Sequence, residues 1–465
     1  MKSKPAHPST LASRLLRIWW LRREGSWLLR SISRAKRHQR SGRDAAMRIT
    51  LTKALPAIGA IQKSETAFAR NWQALLRFQL AVFDIGGAEE TSRRAAAARL
   101  PQAGETLELV AAILDATAGW RDSLESARVS MFDGWKSPAS GRRLIIFLPS
   151  TAMGLETRQQ PGLRSGLRLV FGEIIATCRE EGIAYEIRGR LANHGTPSDT
   201  GDCRYISHHT QSDREGGLHI KVTDLPSCFS FDERGYSGWS KFSQTPIAQL
   251  GLADVDLARA EAFVSAMRKR VISGNISKYE QSKSDTKLDL PEGYVFLGLQ
   301  VIDDAVQALA HLPMLEMLAE VAATCRQQQI PLVVKRHPRC KSAKVSKALA
   351  KGDFQLSDAS IHDLIARSCA VCVVNSSVGA EALLHGKPVF VFGEAEYQHA
   401  CFRIREKGEF AKTFQRHQMP VSPDDLTRYL YLLRHRYAVD AGDPQPAREW
   451  IRRRVRQHAG RSAAE

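Results

Sequence analysis

The sequence predicts an α/β protein in which two Rossmann-like halves follow a helical, basic N-terminal extension. Continuous apolar runs such as LIIFL at 144–148 are typical of strands that are buried on both faces. These runs alternate with segments of helical periodicity, and the polar segment SKSDTKLDLPEG at 282–293 separates two such series. Because open α/β sheets bind ligands beyond the carboxyl ends of their strands, we expect a ligand-binding cleft between the halves.

Composition supports a folded chain with an uneven charge distribution. The 465 residues suffice for two large domains or three small ones, and the 43% of hydrophobic residues can supply sizeable cores. No run of about 18 uncharged apolar residues occurs, so no membrane-spanning helix is predicted. Residues 1–48 hold thirteen Lys or Arg against Glu24 and Asp44, so they carry +11 of the formal net charge of +18. The extension is strongly basic and the remainder only mildly so.

The pattern predicts six segments along the chain. They are a basic tail at 1–48, a helical region at 49–138, a first Rossmann-like domain at 139–281, the linker at 282–293, a second Rossmann-like domain at 294–420 and C-terminal helices at 421–465, of which 423–456 is the Arg-rich helical part. In the first domain a helix at 167–181 and a strand at 184–187 follow the first apolar run, which implies parallel pairing. Residues 200–245 are predicted to be irregular. The second domain is predicted to contain strands at 294–299, 331–335, 370–374 and 388–392 and helices at 315–327, 361–367 and 378–384.

The N-terminal segment 9–34 combines Arg and Trp with aliphatic residues. Arg14, Arg17, Arg22 and Arg23 interrupt its apolar stretch, so it does not have the pattern of a secretory signal. The composition suits an interfacial helix on anionic lipid. It equally suits a solvated, partly disordered tail, and a basic tail alone does not separate membrane binding from nucleic-acid binding.

The eight cysteines have no close-spaced framework of a small secreted domain, which favours a reduced, cytoplasmic protein. Cys369 and Cys372 have the spacing of a zinc or redox motif. They lie in a predicted buried strand, where neighbouring positions face opposite sides, and no second Cys/His pair follows them. We therefore interpret them as small buried hydrophobic residues and expect no metal and no cofactor.

The segment from Asn375 to Glu381, NSSVGAE, follows the predicted strand at 370–374. Hydroxyl and backbone N–H groups at the start of the next helix would form an anion site, and Gly379 would allow a ligand to approach the backbone. Glu381 could accept hydrogen bonds from ribose hydroxyls. The alternative is that Ser376 and Ser377 only cap the helix and that Glu381 complements its dipole.

A second polar group follows the predicted strand at 331–335. Pro338 disfavours helical geometry at His337, so an imidazole flanked by Lys335 and Arg336 lies at the carboxyl end of a strand in the same sheet. A lone histidine there would most simply be structural. Beside Ser376 and Ser377 it forms a phosphate-binding pair, since a histidine can donate to a phosphate or protonate it as it leaves.

These motifs resemble those of bacterial capsular polysaccharide biosynthesis proteins of the β-Kdo transferase type. The resemblance rests on KRHP at 335–338 and NSSVGAEALLHGKPV at 375–389, and it extends to DERGYSGW at 232–239, SKY at 277–279 and LQV at 299–301. It covers roughly residues 140–410 and is similar, more loosely, to bacterial sialyltransferases.

The resemblance implies a GT-B fold with an acceptor domain at 139–281 and a nucleotide-sugar domain at 294–420. It also implies a CMP-activated donor such as CMP-Kdo and a metal-independent reaction, and no spaced Asp-x-Asp motif follows a strand. His337 would act in catalysis as well as in binding, and the charges of Lys335 and Arg336 would stabilise the leaving phosphate. The donor-binding residues implied are Gln300, Lys335, His337, Asn375, Ser376, Ser377, Gly379 and Glu381.

A transferase also needs a carboxylate near the anomeric carbon, as a base or as a nucleophile. Asp232 is the candidate because it precedes a sequence with the aromatic and glycine content of a sugar-binding loop; the alternative is that it begins a turn before Gly235. Glu156 is the rival candidate. Acceptor binding is predicted for Tyr236, Trp239, His219 and Lys221; His208, His209, His219 and Lys221 could each bind a carboxylate of acceptor or donor, or be ordinary loop residues.

The sequence thus predicts a cytoplasmic glycosyltransferase, attached to the inner face of the cytoplasmic membrane through its basic N-terminus, that transfers Kdo or a related acidic sugar to a capsular or surface polysaccharide. Its partners would be a nucleotide-sugar donor and an anionic glycan or glycolipid acceptor, with no nucleic acid. Two alternatives remain open. One is a CDP-glycerol-type glycerophosphotransferase, and the other is a non-catalytic basic protein that binds membrane or nucleic acid.

Overall fold

The structure, a computed structural model, describes residues 11–134, 143–154, 163–192, 194–197, 200–282, 289–415 and 419–460, and side chains from residue 25 onward except Arg164. The chain divides into two compact units. The first comprises Met1–Thr157, Leu167–His208 and Ile451–Glu465, and the second comprises Arg158–Gly166 and His209–Trp450.

The N-terminal part of the first unit is helical over the described residues 11–134. The helices are α1 (Leu11–Arg40), α2 (Asp44–Thr52), α3 (Leu55–Lys63), α4 (Glu65–Ala81), α5 (Ile85–Ala97), α6 (Ala103–Ala116) and α7 (Arg121–Phe132). Helix α4 begins where the Ser64 hydroxyl accepts a hydrogen bond from the Ala67 N–H. Its apolar stripe, which includes Trp72 and Leu75, is buried.

The second half of α1 belongs to this helical packing. Leu28, Ile32 and Ala35 are buried, and α1 packs against α2 and α4. Gly25 lies so close to Asn71 of α4 that a Cβ atom would overlap the amide oxygen. This half of α1 is therefore a packed helix and not a solvated tail. The side chains at 11–24, which carry most of the interfacial pattern, lie outside the described side chains.

The sheet of the first unit is parallel where the sequence predicts it to be. It contains β1 (Leu144–Pro149) and, after α8 (Leu163–Glu180), β2 (Tyr185–Arg190) and β3 (Tyr205–His208). Strand β1 pairs in parallel with both β2 and β3, and all of its residues are buried. Burial on both faces explains the uninterrupted apolar run.

The second unit contains the remaining strands and the site described below. In chain order its elements are β4 (Gly217–Val222), β5 (Cys228–Asp232), α9 (Lys241–Gln244), α10 (Leu257–Arg268), β6 (Val295–Gly298), α11 (Met314–Gln327), β7 (Leu332–Lys335), α12 (Ala343–Leu349), β8 (Gln355–Leu356), α13 (Ile361–Arg367), β9 (Ala370–Val373), α14 (Val378–Leu384), β10 (Val389–Val391), β11 (Phe402–Arg403), α15 (Glu409–Phe414), α16 (Pro423–His435) and β12 (Ala438–Asp440), and α17 (Pro444–Ala459) crosses the boundary to the first unit.

Two sequence-based predictions are corrected by these elements. Residues 200–245 are not irregular, because β3, β4 and β5 lie there and β4 pairs antiparallel with β5. The segment 423–456 is not continuously helical, because β12 interrupts it and pairs antiparallel with β5. These strands are short and carry His, Ser and Lys among their apolar residues, so they lack the uninterrupted pattern that marks β1.

The parallel sheet of the second unit has the strand order β11–β10–β9–β6–β7–β8. Its neighbouring strands pair in parallel. Successive residues of β6 face opposite sides, since Phe296 belongs to one hydrophobic cluster and Val295 and Leu297 to another. The predicted α/β class is confirmed, and β6, β7 and β9 are neighbours whose carboxyl ends lie at one edge of the sheet.

Candidate functional site

Three adjacent strand ends of the second unit contribute polar side chains to one cavity. Gln300 follows β6, His337 follows β7, and Ser376 and Ser377 follow β9; all four line a cavity of about 690 Å³ of empty space. An adjoining cavity of about 920 Å³ shares His337, Ser376 and Ser377 with the first. We call these the first and second cavities. The structure thus brings together the two strand ends that the sequence singled out.

His337 presents a neutral imidazole to both cavities. Its Nδ1 accepts a hydrogen bond from the Arg339 N–H at 3.1 Å, so the proton of the neutral ring lies on Nε2. The Tyr279 ring packs edge-on against it at 4.9 Å between centroids. Burial, assisted by the charge of Arg339, lowers the pKa of His337 to about 4. At neutral pH the residue is therefore a hydrogen-bond donor and not a cation.

Gln300 and Asn375 both line the first cavity and are hydrogen-bonded to each other. Gln300 Nε2 donates to Asn375 Oδ1 at 2.8 Å, and the Asn375 N–H donates to Gln300 Oε1 at 3.3 Å. Asn375 Nδ2 also donates to the Val306 carbonyl at 2.8 Å. Both side chains are buried, so their reciprocal hydrogen bonds fix the backbone that precedes Ser376 and Ser377.

The hydroxyl groups of Ser376 and Ser377 differ in their hydrogen bonds. The Ser376 hydroxyl accepts a long hydrogen bond of 3.4 Å from the Val378 N–H. Ser377 is the N-cap residue of α14, and its side chain makes no capping hydrogen bond. Because α14 has seven residues, its dipole is short, and we attribute anion binding at this edge to side-chain donors rather than to the helix.

Gly379 has a different role from the one predicted. A Cβ atom at this position would lie 2.5 Å from the Tyr397 ring. The Tyr397 hydroxyl in turn donates to the Ser376 carbonyl, so the glycine makes room for a buried tyrosine that supports the serine turn. Gly379 is not among the described residues that line either cavity.

Glu381 lines the second cavity with a buried and incompletely paired carboxyl group. Ser277 donates to Oε1 at 2.9 Å, whereas Oε2 has no hydrogen-bond partner among the described residues. Burial, together with the charge of Asp224, raises the pKa of Glu381 to about 8. At neutral pH the group is therefore largely protonated, and its unpartnered oxygen becomes a hydrogen-bond acceptor for hydroxyls when the proton is released.

Lys335 and Arg336 line the second cavity beside His337. Lys335 Nζ donates to the Ala359 carbonyl, and burial lowers the pKa of Lys335. Arg336 Nη2 donates to the Ser342 carbonyl at 3.3 Å. Both side chains are half-buried and tethered to backbone, so they contribute positive potential at this edge of the sheet.

Asp232 is placed where the turn-forming alternative puts it. Oδ1 accepts hydrogen bonds from the backbone N–H groups of Arg234, Gly235 and Lys241 at 2.8, 3.1 and 2.8 Å. Oδ2 accepts one from the Phe242 N–H at 3.1 Å. Burial raises the pKa of Asp232, although these four donors act in the opposite direction. Asp232 is not among the described residues that line the first cavity, so the geometry favours a role in organising the loop.

The predicted acceptor residues separate into two groups. Lys221 and Tyr236 line the first cavity, with Lys221 Nζ lying 5.6 Å from the centroid of the Tyr236 ring. Trp239 packs edge-on against Tyr236 at 5.3 Å and does not itself line that cavity. His219 is fully buried beside Thr210, whose hydroxyl lies 2.7 Å from its Nδ1.

Two of the predicted residues need separate mention. His209 also lines the first cavity, and its ring contacts Tyr236 at 4.9 Å between centroids. Glu156, the rival to Asp232, lies outside the described residues.

Two further residues line the first cavity: Glu396, which sequence reasoning missed, and Lys278, which it included only as part of the SKY segment of the resemblance. Glu396 follows β10, whose carboxyl end lies beside that of β9, so the strand-end rule that selected Asn375 could have found it. Burial raises the pKa of Glu396, and the charges of Lys278 and Lys221 oppose that shift.

Lys278 comes from a segment outside the sheet, and strand patterns give no signal for it. The segment is attached to α13, because His362 Nε2 lies 2.8 Å from the Ile276 carbonyl and the Ile361 N–H donates to Gln281 Oε1 at 2.9 Å.

Metal ligands and membrane-spanning helices are two further features that can be checked in the described part of the chain. Among the described residues, no group of three or more His, Cys, Asp or Glu is arranged to hold a metal ion. Cys372 is buried and Cys369 exposed. No helix within the described ranges combines the length and the apolar character needed to cross a membrane.

Part of the chain matches a known protein family. Residues 257–430 match the family model described as capsule polysaccharide biosynthesis protein, which confirms the resemblance predicted from the motifs. The match includes Gln300, His337 and Ser376 but not Asp232 or Tyr236.

A curated protein and two solved structures are also similar to this chain. Protein FixF of Sinorhizobium fredii is 28% identical over 137 residues, which are 28% of this chain and about a third (33%) of that protein. The structure of the KpsC β-Kdo 2,4 transferase of Thermosulfurimonas dismutans is 14% identical with a TM-score of 0.41, covering 67% of this chain and 99% of the other. The KpsC β-Kdo 2,7 transferase of the same organism is 16% identical with a TM-score of 0.38, covering 67% and 98%.

Proposed function

We propose that this protein is a glycosyltransferase that moves Kdo or a related acidic sugar from a CMP-activated donor to a capsular or surface polysaccharide. The observation that carries the proposal is the meeting of Gln300, His337, Ser376 and Ser377 in one open cavity at three adjacent strand ends. This is the edge at which parallel α/β sheets bind nucleotides. The family match over 257–430 and the KpsC similarities support the same class of reaction.

The donor phosphate would lie where His337, Ser376 and Ser377 meet. The Nε2–H of a neutral His337 donates one hydrogen bond, and the uncapped Ser377 hydroxyl donates another. Lys278, which lines both cavities, would supply the positive charge that a phosphodiester needs. As the bond to the sugar breaks, these groups stabilise the negative charge that develops on the leaving CMP.

The nucleoside would extend into the second cavity. Glu381 lines it with a carboxyl oxygen that has no partner among the described residues, and ribose hydroxyls are donors that would satisfy it. Such hydrogen bonds favour the charged form of the acid, so binding at pH 7 would release a proton from Glu381, which is largely protonated without a ligand.

The carboxylate that assists transfer would be Glu396 rather than Asp232. Glu396 lines the first cavity, whereas the Asp232 oxygens accept four backbone hydrogen bonds within their loop. In an inverting reaction Glu396 would take the proton of the acceptor hydroxyl as its oxygen attacks the anomeric carbon and CMP departs. In a retaining reaction its oxygen would instead bond to that carbon as CMP departs, and the acceptor oxygen would then displace the carboxylate and release its proton to solvent.

The reaction is proposed to proceed without a metal ion or cofactor. Lysine, histidine and hydroxyl donors at the three strand ends can together balance the charge of a phosphodiester. Donor turnover should therefore be unchanged by EDTA, and a loss of turnover that Mg²⁺ restores would contradict this part of the proposal.

Nucleotide-binding measurements test whether the protein binds the CMP part of the proposed donor. We expect CMP to stabilise the protein in thermal-shift and calorimetric titrations, and UMP and UDP to have little effect. His337→Ala and Ser377→Ala should each weaken CMP binding about tenfold, because each removes a donor to a charged phosphate. Ser346→Ala, an exposed serine of α12, is the matched control. Failure of CMP to bind would contradict the proposal, and turnover of CDP-glycerol in place of CMP-Kdo would favour a glycerophosphotransferase.

A further inference from the structure

Two lysines from different parts of the second unit meet in the first cavity. Lys221 lies on β4, and Lys278 lies between α10 and β6 in the chain; both line the cavity. Their side chains are close enough for the charge of Lys278 to add to burial in lowering the pKa of Lys221. The chain therefore holds two lysine amines together in a partly desolvated space, where burial and the charge of Lys278 disfavour protonation of Lys221.

Neither lysine forms an ion pair with a carboxylate of the described residues. Lys221 Nζ donates a hydrogen bond to the Val222 carbonyl at 3.4 Å. It also lies over the face of the Tyr236 ring and interacts with Lys278. Protonation of both amines in a half-buried cavity is unfavourable unless an anion lies between them. The arrangement therefore indicates an anionic group of the ligand.

The phosphate does not account for both lysines. Lys278 lines the two cavities together with His337, Ser376 and Ser377, whereas Lys221 lines only the first. Around Lys221 the first cavity is lined by β4 and β5 and the segments that follow them, with the hydroxyl groups of Thr223 and Ser230. If the phosphate lies at the strand ends of the parallel sheet, the group beside Lys221 belongs to the sugar attached to it.

We propose that Lys221 and Lys278 form the subsite for the carboxylate of the transferred sugar. The inference rests on the proposed function, which places the sugar next to the phosphate. The titratable or charged residues that face Lys221 across the cavity or on its own wall are His209, Tyr236, Lys278, Asp304, His337, Glu396 and Tyr437.

The direction of proton movement follows from these surroundings. Burial and the charge of Lys278 hold the pKa of Lys221 well below its usual range in the free protein, while Asp304 and Glu396 act in the opposite direction. A carboxylate placed between the two lysines adds a negative charge, which raises the proton affinity of Lys221. The protonated fraction of the Lys221 amine therefore rises on binding, protons are taken up from the buffer, and an ion pair with the carboxylate forms.

Calorimetric titration with CMP and with freshly prepared CMP-Kdo, in the absence of acceptor, tests the inference. We expect wild-type protein to bind CMP-Kdo at least tenfold more tightly than CMP. At pH 8, the enthalpy for CMP-Kdo should change between phosphate and Tris buffers by an amount that corresponds to greater proton uptake than for CMP. This buffer comparison needs no variant.

Lys221→Met and Lys278→Met extend the test to the residues. Lys221→Met should lose most of the preference for CMP-Kdo and the additional proton uptake while its affinity for CMP stays within about threefold. Lys278→Met should lower the affinity for CMP-Kdo more than that for CMP. The exposed Lys351→Met is the control, and melting curves verify folding.

The outcomes separate the two proposals. No binding of CMP by wild-type protein overturns the proposed function and the subsite with it. Binding of CMP without any preference for CMP-Kdo overturns the subsite alone. An equal loss of affinity for CMP and for CMP-Kdo in Lys221→Met also overturns the subsite. So does equal proton uptake for the two ligands in wild-type protein.

Discussion

At the scale of single residues, the two acidic candidates of the second unit, Asp232 and Glu396, differ in their surroundings. The Asp232 carboxylate is surrounded by four backbone N–H donors, which is the arrangement that stabilises a loop. Glu396 lines the first cavity, where the charges of Lys221 and Lys278 act on it. A carboxyl group can act on a substrate only if it reaches the space that the substrate occupies.

We therefore expect Glu396→Gln to lower the rate of sugar transfer by about a hundredfold or more while CMP affinity stays unchanged, because the variant retains size but cannot accept a proton or form a bond to carbon. Asp232→Asn should instead lower the melting temperature, since the amide replaces one acceptor oxygen with a donor facing backbone N–H groups. Transfer assays and thermal melting distinguish the two. Full activity in Glu396→Gln, or a stable but inactive Asp232→Asn, would reverse the assignment.

Glu381 makes stability depend on pH in a direction opposite to that of an ordinary surface acid. Its folded-state pKa of about 8 lies above the value of 4.5 for a free glutamate. The native state consequently binds more protons than the unfolded state between these values, and its stability falls as pH rises through that window.

The free energy of unfolding of Glu381→Gln minus that of wild type should therefore rise by on the order of 3 kcal/mol from pH 5 to pH 8.5. Denaturant unfolding at both pH values, without ligand, measures this change. Glu261→Gln, an exposed position on α10, provides the control. A difference between variant and wild type that does not vary with pH would show that Glu381 titrates normally.

Which site residues could be predicted from sequence depends on how each is positioned. His337, Asn375, Ser376 and Ser377 follow directly from buried strands, so a rule about strand ends finds them. Lys278 lies in a segment attached to α13, and its approach to Lys221 joins positions far apart in sequence. Gly379 was predicted to face a ligand but instead faces Tyr397, because a glycine in sequence does not indicate which atom occupies the space it leaves.

At the scale of elements, the same reasoning explains which strands were predicted. Strands β6, β7, β9 and β10 are apolar because hydrophobic clusters cover both faces of the sheet. Strands β4 and β5 alternate apolar residues with polar ones such as His219, Lys221 and Ser230. β12 has three residues, and its place beside β5 depends on tertiary contacts.

A buried ion pair links α16 to the segment after β4. Asp224 and Arg434 pair through both carboxylate oxygens and both guanidinium nitrogens, with side chains 4% and 5% exposed. Burial alone would raise the pKa of Asp224, but the charge of Arg434 lowers it overall. The stabilisation that this carboxylate contributes is therefore present above its unfolded pKa and lost as pH falls.

Arg434→Met should destabilise the second unit by roughly 3–5 kcal/mol, because it leaves a buried carboxylate without its partner. The double variant Asp224→Leu/Arg434→Met should recover most of that loss, since no buried charge remains. Urea unfolding of both single variants and the double variant gives the coupling energy. A double variant that loses the sum of the two single effects would contradict this account.

At the scale of the whole molecule, positive charge is concentrated at the N-terminus. Residues 1–24 hold six Lys or Arg against Glu24. From Gly25 onward α1 contributes Leu28, Ile32 and Ala35 to the helical part of the first unit. Folding therefore requires α1 from Gly25 onward, and the composition of residues 1–24 suits an anionic surface.

Deletion of 1–24 should weaken binding to phosphatidylglycerol vesicles at least tenfold at low salt, given about 1 kcal/mol for each basic residue near an anionic membrane. The melting temperature and CMP affinity should not change. Deletion of 1–40 should also lower the melting temperature, because it removes the buried face of α1. Phosphatidylcholine vesicles and 0.5 M salt, about the range where surface charges are screened, serve as controls. Equal vesicle binding by the full chain and the shorter deletion would contradict a membrane role for this segment, and loss of duplex DNA binding instead would favour the nucleic-acid alternative.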